Sequence, residues 1–406
     1  MKKRQQPSHP QWVAELRDEL DNILQWWMDN MIDHTNGGFY GRMDGHHTLH
    51  PTAEKGAVLN ARILWTFSAA ARTTGNRQYA QTAERAYHYF VQHFLDPDKG
   101  GVYWSLDYLG TPLHTKKQVY AQAFAIYALS EYHQLTGAPD SLQAALNIFD
   151  LLEKHALDTD RNGYYEAYSR EWHLLQDLRL SDKDANEAKT QNTHLHLLEA
   201  DANLLRTLQN DSTQKEVAER VSARLENLIE LFIEKFIDPN TSHIHLFFDE
   251  NWQLKSNIVS FGHDIEASWL IWDAAQTIGN EVLISKVKPI CLSVAEAALH
   301  EAVEADGSMI NQRWNSDGRL DTDRIWWVQA EAIVGFWNAF QMSGDERFWQ
   351  AAQDCWHFTK KNMRDTVAGE WHWRISRSGE KDPAEDRAGF WKCPYHNGRA
   401  MMLVSS

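Results

Sequence analysis

Apolar residues recur along the chain at the three- and four-residue spacing of a helix face, and glycines or short polar runs interrupt the pattern. Twelve helical segments follow: 10–32, 52–74, 78–94, 117–137, 140–156, 187–209, 213–236, 263–278, 281–301, 322–342, 346–361 and 388–404. Gly75, Gly137, Gly279 and Gly344 end four of them, and the next helix begins after a short polar turn. Six segments (52–74, 117–137, 187–209, 263–278, 322–342 and 388–404) are the richer in small residues, as in Ala121-Gln122-Ala123-Phe124-Ala125. Close packing around an axis demands small side chains, so these six are expected inside. The other six carry runs such as Glu216-Val217-Ala218-Glu219-Arg220, which suit a solvated outer face.

Between an outer segment and the inner one that follows it, a turn with an aromatic or apolar tail returns six times. The copies are Asn36-Gly37-Gly38-Phe39-Tyr40, Lys99-Gly100-Gly101-Val102-Tyr103, Asn162-Gly163-Tyr164-Tyr165, Ser242-His243-Ile244-His245-Leu246, Asp306-Gly307-Ser308-Met309-Ile310 and Gly369-Glu370-Trp371-His372-Trp373. Aligned at positions 37, 100, 163, 243, 307 and 369, the steps are 63, 63, 80, 64 and 62, with one insertion before the fourth copy. One supersecondary unit used six times must stack on its neighbours to bury its apolar face. The last repeat reaches Ser406 without a polar capping repeat, so a closed ring is expected over an open solenoid. The predicted architecture is all-α: an (α/α)6 barrel of six helix hairpins with short β segments in the loops. It forms one domain over 1–406, and the first turns of the inner helices surround one cleft.

A formal net charge of -16 opposes approach to nucleic acid or an anionic membrane and leaves a small neutral substrate as the expected partner. No run of eighteen apolar residues occurs, and the basic Met1–Pro7 run precedes no apolar stretch, so a cytoplasmic protein is expected. It is expected to be a monomer or a weak homo-oligomer. Cys291, Cys355 and Cys393 are too widely spaced for a disulfide framework or a zinc motif and read as reduced thiols. Indole faces suit the C–H faces of sugars as well as core packing, and most of the eighteen tryptophans are expected in the core.

The first turns of the inner helices hold the candidate chemistry: Arg62; Tyr120; Asn192 with His194 and His196; His263 with Glu266 and Trp269; Trp327 with Glu331; and His396. A single histidine at a helix start is ordinarily a cap, but three at equivalent positions around one axis point to proton transfer. His263 and Glu266, at i and i+3, share a helix face, where the carboxylate is expected to orient the imidazole and raise its pKa. There is no His-Glu-x-x-His run, cysteine cluster or glycine-rich phosphate loop, so neither a metal nor a nucleotide cofactor is expected. Two imidazoles across a cleft suit removal of a proton from one face of a planar intermediate and its return to the other. Glycoside hydrolysis would need two flanking carboxylates, for which Glu266, Glu331 and Asp184 are candidates.

The strings Ser260-Phe261-Gly262-His263-Asp264-Ile265-Glu266-Ala267-Ser268-Trp269, Asn192-Thr193-His194-Leu195-His196-Leu197-Leu198-Glu199 and Trp391-Lys392-Cys393-Pro394-Tyr395-His396-Asn397-Gly398-Arg399 resemble signatures of the cellobiose 2-epimerases. These belong to the N-acylglucosamine 2-epimerase superfamily of (α/α)6 barrels. The resemblance extends over nearly the whole chain, through Phe39-Tyr40-Gly41, Lys55-Gly56-Ala57-Val58-Leu59-Asn60-Ala61-Arg62 and Trp326-Trp327-Val328-Gln329-Ala330-Glu331. It implies cofactor-free, reversible epimerisation at C2 of the reducing-end sugar of β-1,4-linked disaccharides, taking cellobiose to glucosyl-mannose and lactose to epilactose. By the same resemblance His263 and His396 would be the acid/base pair. His196, Asn192, Arg62 and Tyr120 would hold or polarise O1 and O2. Glu266 and Glu331 would bind hydroxyls and tune the histidines, Asp184 would bind substrate, and Trp327, Trp391 and Trp269 would pack on the sugar. Relatives that act on mannobiose or monosaccharides, or that isomerise aldose to ketose, share much of this set.

Overall fold

The computed structural model describes residues 9–209 and 211–405; the Met1–Pro7 run lies outside them. Twelve α-helices are present among the described residues: α1 His9–Asn30, α2 Ala57–Thr74, α3 Arg77–Tyr89, α4 Val119–Thr136, α5 Pro139–His155, α6 Gln191–Gln209, α7 Lys215–Leu231, α8 Phe261–Ile278, α9 Glu281–Ala302, α10 Trp326–Ser343, α11 Glu346–Phe358 and α12 Tyr395–Ser405. The even-numbered helices pack each on the next, and α12 returns onto α2 to close the ring. Outside them, α3, α5, α7, α9 and α11 each pack on the preceding inner helix, and α1 covers α12. The chain is thus an (α/α)6 barrel whose last hairpin is completed by its first helix.

Burial separates the two rings as residue size suggests. In α4 every residue from Val119 to Tyr132 is buried, whereas α3 buries only Tyr79, Thr82, Ala83, Ala86, Tyr87 and Tyr89, one stripe at helical spacing. The turns after α2, α4, α8 and α10 use Gly75, Gly137, Gly279 and Gly344 at φ of 70 to 74°, a left-handed cap that a Cβ would disfavour.

Four inner helices, α2, α4, α6 and α10, begin later than the apolar pattern predicts, because the residues just before them are extended, whereas α8 begins two residues earlier than expected, at Phe261. Lys55–Gly56, Lys117–Gln118, Lys189–Thr190 and Arg324–Ile325 pair antiparallel with Ser105–Leu106, Ala167–Tyr168, Phe247–Phe248 and Arg374–Ile375 of the next repeat's loop. Ile258–Ser260 pairs likewise with Gln312–Trp314, and a Met43–Ala388 bridge joins the first loop to the last. Before α12 the expected start at 388 fails for another reason: Ala388 makes that bridge, and Pro394 stands immediately before Tyr395.

The six aromatic turns share one construction. An acidic residue, Asp33, Asp96, Asp158, Asp238, Glu304 or Asp365, opens each; its carbonyl accepts the amide of Gly37, Gly100, Asn162, Ser242, Gly307 or Gly369. Each of these residues has positive φ. The third and fourth copies therefore align at Asn162 and Ser242, one residue before the positions 163 and 243 chosen on sequence. Buried lysines clamp three of the turns: Lys55 Nζ lies 2.9 Å from Asp33 and 2.8 Å from the Gly37 carbonyl, Lys117 meets Asp96, and Lys189 meets Asp158. Removing one partner of such a pair costs about 3–5 kcal/mol.

Candidate active site

Residues with functional groups fall in two layers around the barrel axis. Tyr120, Asn192, Trp327 and His396 are each the second residue of their inner helix, with His263 third in α8. One turn deeper, Arg62, His196, Glu266 and Glu331 are each the sixth. Four residues at 1.5 Å rise separate the layers by about 6 Å, the span of one sugar ring.

Each of three imidazoles has a distinct Nδ1 partner. His396 Nδ1 lies 2.6 Å from Glu331 Oε1, His196 Nδ1 lies 2.9 Å from Glu199 Oε2, and His263 Nδ1 lies 2.7 Å from Ser260 Oγ. An ionised carboxylate only accepts, so beside ionised Glu199 and Glu331 the proton of His196 and His396 would sit on Nδ1; among the described residues nothing bonds Nε2 of either. His263 and His396 both rest against Trp327, with ring centroids 4.9 and 5.6 Å away.

Burial pushes His263 down to about 4, and burial together with the Arg62 and Arg399 guanidiniums holds His396 well below the usual histidine range. His196 is lowered by burial too. These imidazoles are therefore neutral near pH 7 and able to take a proton. Burial raises Glu331, and burial with the neighbouring Glu331 charge raises Glu266. Glu199 is also buried, but Arg399 and His196 outweigh that and hold it below the usual carboxylate range.

Arg399 is completely buried and joins these groups. Nη2 donates to Glu266 Oε1 at 2.9 Å and Glu331 Oε1 at 2.7 Å, and Nη1 donates to Glu199 and to Tyr395 Oη. Arg62 donates to Tyr120 Oη at 2.8 Å and lies over the faces of Phe124 and Tyr395. Its Nε has no hydrogen-bond partner among the described residues.

Two cavities lie at this end of the barrel, the larger reaching the upper layer, among the described residues, only through Trp391, whose ring centroid is 6.1 Å from that of Tyr120. A cleft of about 860 Å³ is lined by Trp104, Phe390 and Trp391, together with Lys116, Arg179 and Asp182. A smaller one, about 50 Å³, is lined by His263, Asn192 and Asp184. The insertion between the third and fourth repeats contributes to both, through Arg179 and Leu180. It is tied down by Gln118 Nε2 donating to the Leu178 carbonyl and by Asp184 accepting from Ser181 N and Oγ.

Comparison with known proteins gives this barrel its place. Residues 38–400 match the family model described as N-acylglucosamine 2-epimerase (GlcNAc 2-epimerase). The chain is 50% identical over 386 residues to the cellobiose 2-epimerase of Bacteroides fragilis, spanning 95% of this chain and 96% of that one. The chain belongs to the N-acylglucosamine 2-epimerase family. It is a carbohydrate epimerase. A cellobiose 2-epimerase of Ruminococcus albus is 38% identical, across 97% of this chain and 98% of its own. The solved structure of cellobiose 2-epimerase from Bacillus thermoamylovorans B4167 superposes with a TM-score of 0.91 at 37% identity, covering 97% and 98% of the two chains.

The structure of this epimerase departs from the sequence expectations at three residues. Glu266 does not orient His263; it is bonded to Arg399, and Ser260 takes the imidazole, whose pKa is lowered rather than raised. Trp269, expected against the sugar, is buried below the site: its indole N–H donates to Glu331 Oε2 at 3.0 Å, and Arg399 lies over its ring. His194 is a clamp, accepting the Tyr164 amide at Nε2 and bonding the Thr190 carbonyl through Nδ1. Gln122 and Gln329, also fourth in their helices, hold Val102 and Met309 in the same way.

Arg399, Glu199, Tyr395 and Ser260 are the groups that sequence reasoning did not single out. The signal for two of them was the spacing: Glu199 follows His196, and Arg399 follows His396, by three residues. Glu266, Glu331 and His396 also bring ligand atoms within 4.8 Å of one another. Arg399 Nη2 already bonds both carboxylates, so a cation holds the position a metal ion would need.

Proposed function

We propose that the protein epimerises the reducing-end sugar of β-1,4-linked disaccharides at C2, with His263 and His396 as the acid/base pair and without a cofactor. Cellobiose would become glucosyl-mannose and lactose epilactose. The observation that carries the reading is the pair of neutral, buried imidazoles resting on one indole, Trp327.

The pyranose first opens: one imidazole takes the O1 proton and, as the imidazolium, gives a proton to O5 as the C1–O5 bond breaks, leaving the open-chain aldehyde and a neutral imidazole. A neutral imidazole then takes the C2 proton. The C2–H bond breaks, and its electron pair forms the C1–C2 double bond of a cis-enediol(ate), with the negative charge on O1. Arg62 and Tyr120 are the natural partners for that oxygen, because a fixed cation in a buried site stabilises charge as it develops. The imidazole on the opposite side, protonated from solvent, returns a proton to C2; the first imidazolium releases the C2-derived proton to solvent, and the ring closes with inverted configuration.

The disaccharide reading has two supports: the 50% identity to a cellobiose 2-epimerase across 95% of the chain, and a cleft of about 860 Å³ bordered by Trp104, Phe390 and Trp391 that shares Arg179 and Leu180 with the cavity at His263. Hydrolysis is disfavoured because Glu266 and Glu331 are both bonded to Arg399, with Glu331 also on His396, instead of flanking open space. Incubating EDTA-treated protein and its His263→Ala and His396→Ala variants with cellobiose, then separating the products, tests the assignment. Each variant is expected to lose at least about 100-fold in rate while keeping its fold. Full activity in either would overturn the pair, and release of free glucose would point to hydrolysis.

A further inference from the structure

We propose that Arg399 is a positioning residue for this chemistry. By bridging Glu199 on α6, Glu266 on α8 and Glu331 on α10, it keeps the proton on Nδ1 of both His196 and His396, so that Nε2 of His396 is free to act as the base and Nε2 of His196 to accept from a sugar hydroxyl. The inference rests on the epimerase reading above and adds to it a residue that touches no substrate.

Three buried carboxyls converge on one guanidinium, and two of them are the Nδ1 partners of imidazoles. Tyr395 Oη, which donates to Glu199 at 2.5 Å, accepts from the same guanidinium. All four carriers are shielded: Arg399 and Glu331 are 0% exposed, Glu266 1% and Glu199 4%. Burial and the neighbouring Glu331 push Glu266 up to about 8 even beside the guanidinium, and without that cation Glu331, raised by burial, would be driven to take up a proton as well.

A protonated Glu331 is a donor. It would give its proton to His396 Nδ1 as a hydrogen bond, and the imidazole would then have to carry its own proton on Nε2, where it can no longer accept one. Arg399 thus acts on catalysis through the tautomer of its partners. His396 and Arg399 lie three residues apart on α12, so the same short helix supplies both the base and the charge that sets its tautomer.

The test combines kinetics with ring-nitrogen NMR. Arg399→Lys and Arg399→Gln are compared with the wild type for kcat and KM on cellobiose, and 15N-histidine spectra report the His396 tautomer, assigned by its absence in His396→Gln. The expected result is a thermally stable Arg399→Lys with KM within about threefold and kcat lowered at least about 100-fold, the scale on which a wrong tautomer acts. Its His396 signals should move from the Nδ1–H toward the Nε2–H pattern. Unchanged kcat, or an unchanged tautomer in a variant that has lost activity, overturns the proposal. If both variants fail to fold, the wild-type spectrum still decides: His396 protonated on Nε2 in the resting enzyme contradicts the proposal, and Nδ1–H with an unprotonated Nε2 supports it. A wild type that leaves H2 of every sugar in place refutes the epimerase reading instead, whatever the tautomers are.

Discussion

At the scale of single residues, the proposed chemistry depends on imidazoles that remain neutral in a buried site. His263 is held at about 4, below the usual 6.5, because burial penalises its charged form. As a base it is competent while unprotonated, so kcat/KM for cellobiose is expected to hold its plateau down through pH 6 and to fall only near pH 4. A pH–rate profile with its acid inflection near 6.5 would contradict a buried His263 base. The places of His263, His396 and Arg62 near the starts of inner helices were legible in the sequence because charged or titratable groups stand out on helices otherwise built from small apolar residues. Arg399 was not, since its role depends on three carboxylates that lie up to 200 positions away and meet it only once the ring has closed. Trp269 illustrates the same limit: spacing put it on the right helix, and packing turned its indole toward Glu331.

At the scale of elements, each inner helix is entered from a two- or three-residue strand or from a proline, and the entry to α6 shows how this is held. Glu166, buried in the third aromatic loop, accepts the Thr190 amide at 2.8 Å and the Thr193 hydroxyl. Burial raises its pKa to about 8. A carboxyl whose folded pKa lies above its unfolded value stabilises the fold fully below the unfolded pKa, and that contribution is lost as pH rises from about 4.5 through 8. Glu166→Gln is therefore expected to flatten the decline in thermal midpoint across that window and to change little at pH 4. A pH dependence identical to wild type would show that Glu166 is already ionised in the fold. Hydrophobic periodicity predicted the twelve helices but not these entries, because a two-residue strand has no period of its own. The turn register differs at Asn162 and Ser242, because an asparagine and a serine adopt there the left-handed conformation that glycine takes in the other four copies, and the aligned positions, Gly163 and His243, are one residue later.

At the scale of the whole molecule, closure is what brings the two layers of residues around one axis. It was inferable from six copies of one unit, and the structure shows its means. α1 packs on α12, Arg17 donates to the Ser405 carbonyl, Trp27 Nε1 donates to Glu370, and Trp371 Nε1 donates to Glu19. The first and last repeats thereby fix α12, and with it His396 and Arg399. Among the described residues no helix is long and apolar enough to cross a membrane.

The central claim is that this closed site inverts C2 by removing and returning its proton, and proton NMR of cellobiose incubated with the EDTA-treated protein in deuterated water tests it most directly. The account requires the reducing-end H2 signal to disappear while a glucosyl-mannose anomeric signal grows, with deuterium at C2 of the product. Glucosyl-mannose that retains protium at C2 under multiple turnovers, or an H2 signal that persists while free glucose accumulates, would contradict it.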